Sequence, residues 1–126
     1  TNDLGWEIYP EGLYRVCKKA FELYGLPIFI TENGICDAKD TMRPAFILMH
    51  LAQIKRLLDE GITINRYYHW SLMDNFEWAE GESARFGLYE TDYDTMERKP
   101  RRSAELYSEI CSTRHVSEHM IEEHLP

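Results

Sequence analysis

The chain has 126 residues, 44 % of them hydrophobic and 29 % charged, with a formal net charge of −8. That length suits one small domain, and the balance is ordinary for a folded soluble chain. The acidic charge argues against nucleic-acid binding, which needs basic patches, and no apolar run approaches the ~18 residues that suggest a membrane span.

Thr1–Tyr9 is a polar, irregular lead-in holding Trp6 and Tyr9. It has no apolar leader. Cys17, Cys36 and Cys111 are odd in number and form no C-x-x-C. Together these predict reduced thiols, buried as small apolar residues, and a cytoplasmic location. Pro10 suits the first turn of a helix. Leu13, Val16, Cys17, Ala20 and Tyr24 follow as its helical stripe, and Gly25 and Pro27 end it.

Ile28–Thr31 then reads as a short strand buried on both faces, typical of a parallel sheet. It runs into Glu32, Asn33 and Gly34. A carboxylate at the C-terminal end of a parallel strand is where barrel enzymes place catalytic groups. The plain alternative is an acidic strand terminus, with Gly34 turning the chain.

Pro44 starts a second helix with Ile47, Leu51, Ile54 and Leu58 in one stripe, capped by Gly61. Ile62–Leu72 is a second strand candidate, rich in β-branched and aromatic residues. Met73–Gly87 reads as a loop crowded with Trp, Phe, Glu and Asn, in which Asp74 and Asn75 fix the backbone. Phe86–Asp94 holds a short extended piece. Pro100 introduces a third helix with Ala104, Tyr107, Ile110 and Cys111 on one face. The boundaries are 1–112 for the folded segment and 113–126 for a polar tail. His115, His119 and His124 in that tail hint at a metal pair, but a solvated tail is the stronger reading, and no cofactor is expected.

Aromatics reach 13 %, clustered between Tyr67 and Tyr93. A core absorbs rings, but so does a sugar cleft. Here five motifs converge: D-L-G-W-E-I-Y-P-E-G-L at Asp3–Leu13, I-T-E-N-G at Ile30–Gly34, Y-x-x-W-S-L-x-D-N-F-E-W at Tyr67–Trp78, R-F-G-L at Arg85–Leu88 and K-P-R-R-S-A at Lys99–Ala104. In this order they resemble glycoside hydrolase family 1, the retaining β-glucosidases and β-galactosidases. The resemblance implies an α/β fold: the C-terminal part, about the last quarter, of a (β/α)8 TIM barrel, with two βα units and a preceding helix. It implies that Glu32 is the catalytic nucleophile. Trp70 would be a platform under the sugar ring, Glu77 and Trp78 would bind the far hydroxyls, and Phe86 would stand on the cleft wall. His69 is expected to be a structural hydrogen-bonding residue.

The family's acid/base Glu lies in an Asn-Glu-Pro triplet, and this sequence contains none. Glu77 aligns with a binding residue and does not replace it. The chain alone is therefore expected to be an incomplete enzyme. Its ligand would be a β-glycoside or monosaccharide, and its partner a complementary N-terminal barrel piece or further copies of itself. Trp78, with Glu80 and Glu82 nearby, favours a neutral sugar over a phosphorylated one. The alternative is a non-catalytic sugar-binding or self-assembling vestigial barrel fragment.

Overall fold

The computed structural model describes residues 1–125; Pro126, the last residue of the expected polar tail, lies outside them. Four helices and four strands follow in the order α1 (Pro10–Tyr24), β1 (Ile28–Gly34), α2 (Arg43–Asp59), β2 (Ile64–Trp70), β3 (Tyr89–Thr91), β4 (Arg98–Pro100), α3 (Arg102–Thr113) and α4 (Glu118–His124). β1 and β2 pair in parallel, with Ile28 opposite Ile64 and Gly34 opposite Trp70. The crossover between them is α2. The outer edges of both strands are unpaired among the described residues.

α1 starts at Pro10 and ends where Gly25 takes the left-handed conformation, φ 63°, and donates to the Phe21 carbonyl at 2.8 Å. A side chain there would be strained. The helix buries Tyr14 and Cys17, with Leu13 and Phe21 beside them, against Ile30, Ile54, Leu57 and Ile62. Burying each large apolar side chain contributes about 1.5–3 kcal/mol. The expected stripe is offset: Val16 and Tyr24 are 68 % and 72 % exposed. Only the flank towards α2 finds a neighbour, so the other flank faces water. Leu58 on α2 is likewise exposed, and Leu57 takes its place in the core.

α2 is clamped at its start by Asp37, whose Oδ2 accepts from the Met42 and Arg43 amides at 2.7 and 2.9 Å. This satisfies donors that a helix N-terminus otherwise leaves open. Arg43, wholly buried, donates to the Asp37 and Arg85 carbonyls at 2.6 and 2.9 Å and pairs with Asp40. Asp40 in turn accepts from the amide and hydroxyl of Ser103, at 2.8 and 2.6 Å, at the start of α3. One cluster thus ties the loop after β1 to both following helices.

Two expectations are corrected. The segment expected to be a solvated polar tail carries α4, capped by Ser117, whose Oγ accepts from Met120 N. Met120 is buried against Leu48 and Leu106. Val116 and Leu125 pack beside it, so a few apolar residues in an acidic stretch dock the helix. Cys111 is exposed, whereas Cys17 and Cys36 are buried, and all three thiols are free. An antiparallel pairing of β3 with β4 had no clear signal in the sequence. No helix among the described residues is long and apolar enough to cross a membrane.

His69 and His50 pack around Phe46, with Tyr107 also beside His69. His50 Nδ1 bonds the Phe46 carbonyl at 2.8 Å. His69, expected to be hydrogen-bonded, has no partner for either ring nitrogen among the described residues. Burial, then the Arg43 charge and His50, push its pKa down to about 3. Burial also lowers that of His50. The His69 imidazole stays neutral in the fold and gains a proton on unfolding below about pH 6.5, and the lowered His50 shifts in the same sense. Stability from these groups is therefore full above that pH and declines as the pH falls, by about 1.4 kcal/mol per pH unit for His69, with His50 adding in the same direction. Urea unfolding at pH 7, 6 and 5 should show this slope. His69→Phe should remove one proton's share of it, and an unchanged slope would refute the assignment.

Candidate active site

Parallel pairing brings the C-terminal ends of β1 and β2 side by side. The register is irregular between Ile30 and Asn33, next to Glu32. Glu32 is exposed at that end. Asn33 is held by the Tyr67 hydroxyl, which donates to its Oδ1 at 2.9 Å. Burial raises the Tyr67 pKa, so the phenol remains a proton donor. A Cβ on Gly34 would lie 1.7 Å from the Trp70 carbonyl oxygen. Gly34 therefore serves close strand approach and does not turn the chain, contrary to the expectation.

After Trp70, the loop to Phe86 closes on itself. The Ser71 amide donates to the Phe86 carbonyl at 3.1 Å, and Leu88 N to the Ser71 carbonyl at 2.9 Å. Asp74, 3 % exposed, holds both arms. Its carboxylate accepts from Arg101 Nη1 and Nη2 at 2.9 Å each, from Gly87 N at 2.8 Å and from Thr91 N at 3.2 Å. Arg85 adds a contact at 3.3 Å. Burial alone would raise this carboxyl's pKa; the bonds from Arg101, Gly87 and Thr91 outweigh it and hold the group below the usual range. Within the loop, Glu77 N donates to the Gly81 carbonyl at 2.8 Å across one 3-10 turn, Trp78–Glu80.

The result is one open pocket of about 360 Å³. All five residues singled out in the sequence line it: Glu32, Trp70, Glu77, Trp78 and Phe86. Trp78 is 84 % exposed, so it is no core residue in this chain. Phe86 is the opposite, 4 % exposed, anchored with Cys36 and Ala84 while its remaining edge meets the pocket. Sequence reasoning left Trp6 in an irregular lead-in, yet it lines the same pocket with its ring 6.1 Å from that of Phe86. The signal was the short polar residues before it. Asn2 Oδ1 accepts from Trp6 N at 2.9 Å, and Asp3 Oδ2 from Ala38 N at 2.8 Å.

A larger cavity, about 550 Å³, lies between the loop after β1, α3 and α4. Most of its charges are spent internally: Asp40 on Arg43 and Ser103, Arg101 on Asp74, and Arg102 on Glu123 at 2.6 Å. The smaller pocket, with two carboxylates and flat aromatic faces, is the one equipped for a polyhydroxylated ligand. Among the described residues no cluster of three or more His, Cys, Asp or Glu suits a metal ion.

Parallel βα units with a carboxylate and aromatic rings at the C-terminal ends of their strands have the layout of a piece of a parallel α/β barrel. The sequence profile of glycosyl hydrolase family 1 matches residues 1–116, and the chain belongs to that family. It is 46 % identical over 125 residues to a β-galactosidase of Sulfolobus acidocaldarius, covering 99 % of this chain and 25 % of that protein. It superposes on the β-glycosidase from Pyrococcus horikoshii with a TM-score of 0.95 and 42 % identity, over 100 % of this chain and 30 % of that one. A β-glucosidase mutant derived from a hyperthermophilic tetrameric structure gives 0.94 and 42 %, over 97 % and 26 %. The chain spans about a quarter of the length of the curated relatives it matches, and its fold is a fragment of a (β/α)8 barrel.

Two substitutions test how the pocket is held. Gly34→Ala should force β1 and β2 apart, costing about 1–3 kcal/mol and changing tryptophan fluorescence; a wild-type melting curve would contradict the close approach. Asp74→Ala, which strands buried Arg101, should cost about 3–5 kcal/mol in urea unfolding. A loss under 1 kcal/mol, the scale of an exposed pair, would show that the hub is dispensable.

Proposed function

We propose that the chain is the part of a retaining β-glycosidase that carries the nucleophile, Glu32, and one wall of the site for the terminal sugar. The observation that carries this reading is the pocket itself: a strand-end carboxylate, a second carboxylate on a pinned loop, and tryptophan faces around one opening. Glu32 would attack the anomeric carbon and form a glycosyl-enzyme. A second carboxyl group, about 5–5.5 Å away, must protonate the leaving oxygen and later activate water. Glu77 sits on the loop and accepts from Asn75 at 2.7 Å; it suits hydroxyl pairs of the sugar through charge-assisted bonds. Trp70 and Trp78 offer the flat faces on which apolar sugar faces stack.

The acid/base group therefore comes from another part of the barrel, because this chain has no Asn-Glu-Pro. The unpaired edges of β1 and β2, with Phe29 and Tyr68 exposed on the sheet, support association with a complementary barrel piece or with copies of the chain. The substrate class is a neutral β-glucoside or β-galactoside, with Glu80 and Glu82 disfavouring a phosphate. Three free thiols suit a reducing, cytoplasmic compartment. The openness of the pocket favours one second reading, a sugar-binding or self-assembling fragment without catalysis.

The test co-expresses the 126-residue chain with the remaining three quarters of the Sulfolobus acidocaldarius β-galactosidase. The complex should hydrolyse an aryl β-galactoside, the chain alone should not, and Glu32→Gln should cut the rate by about a thousandfold or more. Sugar binding without turnover would favour the second reading. Turnover that survives Glu32→Gln would exclude Glu32 as nucleophile.

A further inference from the structure

The Glu77 carboxylate has one hydrogen-bond donor among the described residues, Asn75, whose Nδ2 lies 2.7 Å from Oε2. A carboxylate only accepts, so the amide must turn its nitrogen to Glu77 and its oxygen the other way. That oxygen lies 3.3 Å from Ser71 Oγ, on the buried residue that follows Trp70. Ser71 Oγ also reaches the Met73 carbonyl at 2.8 Å. The residue before Asn75 is Asp74, fixed from three segments by Arg101, Gly87 and Thr91. The single Ser71 hydroxyl proton goes to the closer Met73 carbonyl, so Asn75 is anchored through its backbone by the buried hub beside it, with its oxygen resting next to Ser71 Oγ.

We propose that Asn75 is the positioning residue of the sugar site: it fixes the Glu77 rotamer, occupies Oε2 and leaves Oε1 for the substrate's hydroxyls. This rests on the glycosidase reading above. The consequence is discrimination. Glucosides and galactosides differ in the orientation of one hydroxyl, and a carboxylate held by one oxygen accepts it from a restricted direction. A freely rotating Glu77 would accept either. The other titratable group lining the pocket is Glu32. Arg85 is committed to Asp74 and to the Thr91 carbonyl, so Glu77 has no competing cation there.

The test uses the same complex with the Sulfolobus acidocaldarius β-galactosidase remainder. Asn75→Ala should lower kcat/KM by about tenfold or more, the worth of one hydrogen bond to a charged group, and should narrow the ratio between aryl β-galactoside and aryl β-glucoside. Asn75→Asp keeps the shape and sets two carboxylates at hydrogen-bonding distance, so one proton must be shared. Measured as the ratio to wild type at each pH, its kcat/KM should approach one near pH 5 and fall steeply by pH 8, a loss beyond the alkaline limb that the acid/base group gives both enzymes. A role in folding alone would lower activity equally at every pH. That result, or an Asn75→Ala variant within twofold of wild type, overturns the inference while the functional reading stands. A silent wild-type complex overturns the functional reading and this inference together.

Discussion

The pair of Asp74 and Arg101 is the constraint on which the pocket depends. Two ions out of water are costly, and their attraction compensates only when every remaining donor and acceptor is matched. Here it is matched: the carboxylate takes two guanidinium bonds and two amides, and Arg101 Nη1 also reaches the Gly87 carbonyl at 2.7 Å. Such an arrangement contributes less to net stability than to uniqueness. It permits one placement of the loop between Trp70 and Phe86, and it links that loop to Thr91 on β3 and to the residue that opens α3. Glu77 and Trp78 ride on a loop of few apolar anchors, yet their backbone is bound to the most buried charges in this half of the chain.

The rest of the molecule shows what a quarter of a barrel lacks. α1 and α2 cover one face of a two-stranded sheet, and Ile30, Ile54 and Leu57 form a dry seam there. On the uncovered side Phe29 and Tyr68 are 56 % and 49 % exposed. Closing a barrel would pair both strand edges and bury these rings together. The apolar flank of α1, with Val16 and Leu23, would gain a neighbouring helix in the same step. The exposed apolar surface is therefore ordered: it lies where the missing strands and helices of a (β/α)8 architecture would sit.

Local chemistry was legible in the sequence because its causes are local. Pro10, Gly25, Pro27 and Pro44 mark helix boundaries by backbone geometry that needs no partner, and the structure places α1 and α2 within a residue of them. The five pocket residues were legible through motif resemblance; parallel register brings Glu32 beside Trp70, and the loop pinned by Asp74 brings Glu77, Trp78 and Phe86 to them. What escaped depends on distant contacts. Which face of α1 is buried is decided by α2. The need for glycine at position 34 is decided by the Trp70 carbonyl, far away in sequence. The docking of α4 hangs on Met120 meeting Leu48 and Leu106, and the isolation of His69 on rings from two other elements. Trp6 was missed for the same reason: Asn2 folds the lead-in around it, and Asp3 ties that turn to Cys36 and Ala38 in the loop after β1.

The two carboxylates of the pocket have different support, which fits the separate roles proposed for them. Glu32 stands exposed at a strand end, on rigid backbone, and makes no hydrogen bond that would tie up its lone pairs. That freedom and that rigidity suit the nucleophile's role proposed for it. Glu77 has the reverse, a loop backbone pinned from outside and one oxygen already satisfied by Asn75. A group half-committed to an amide is a poor proton shuttle but a good fixed acceptor for hydroxyls. In so open a pocket water is free to enter and screens the charges, which would weaken the stabilisation that a closed site gives to an oxocarbenium-like transition state. On the glycosidase reading proposed above, completion of the barrel would supply both the third carboxyl group and the wall that excludes water.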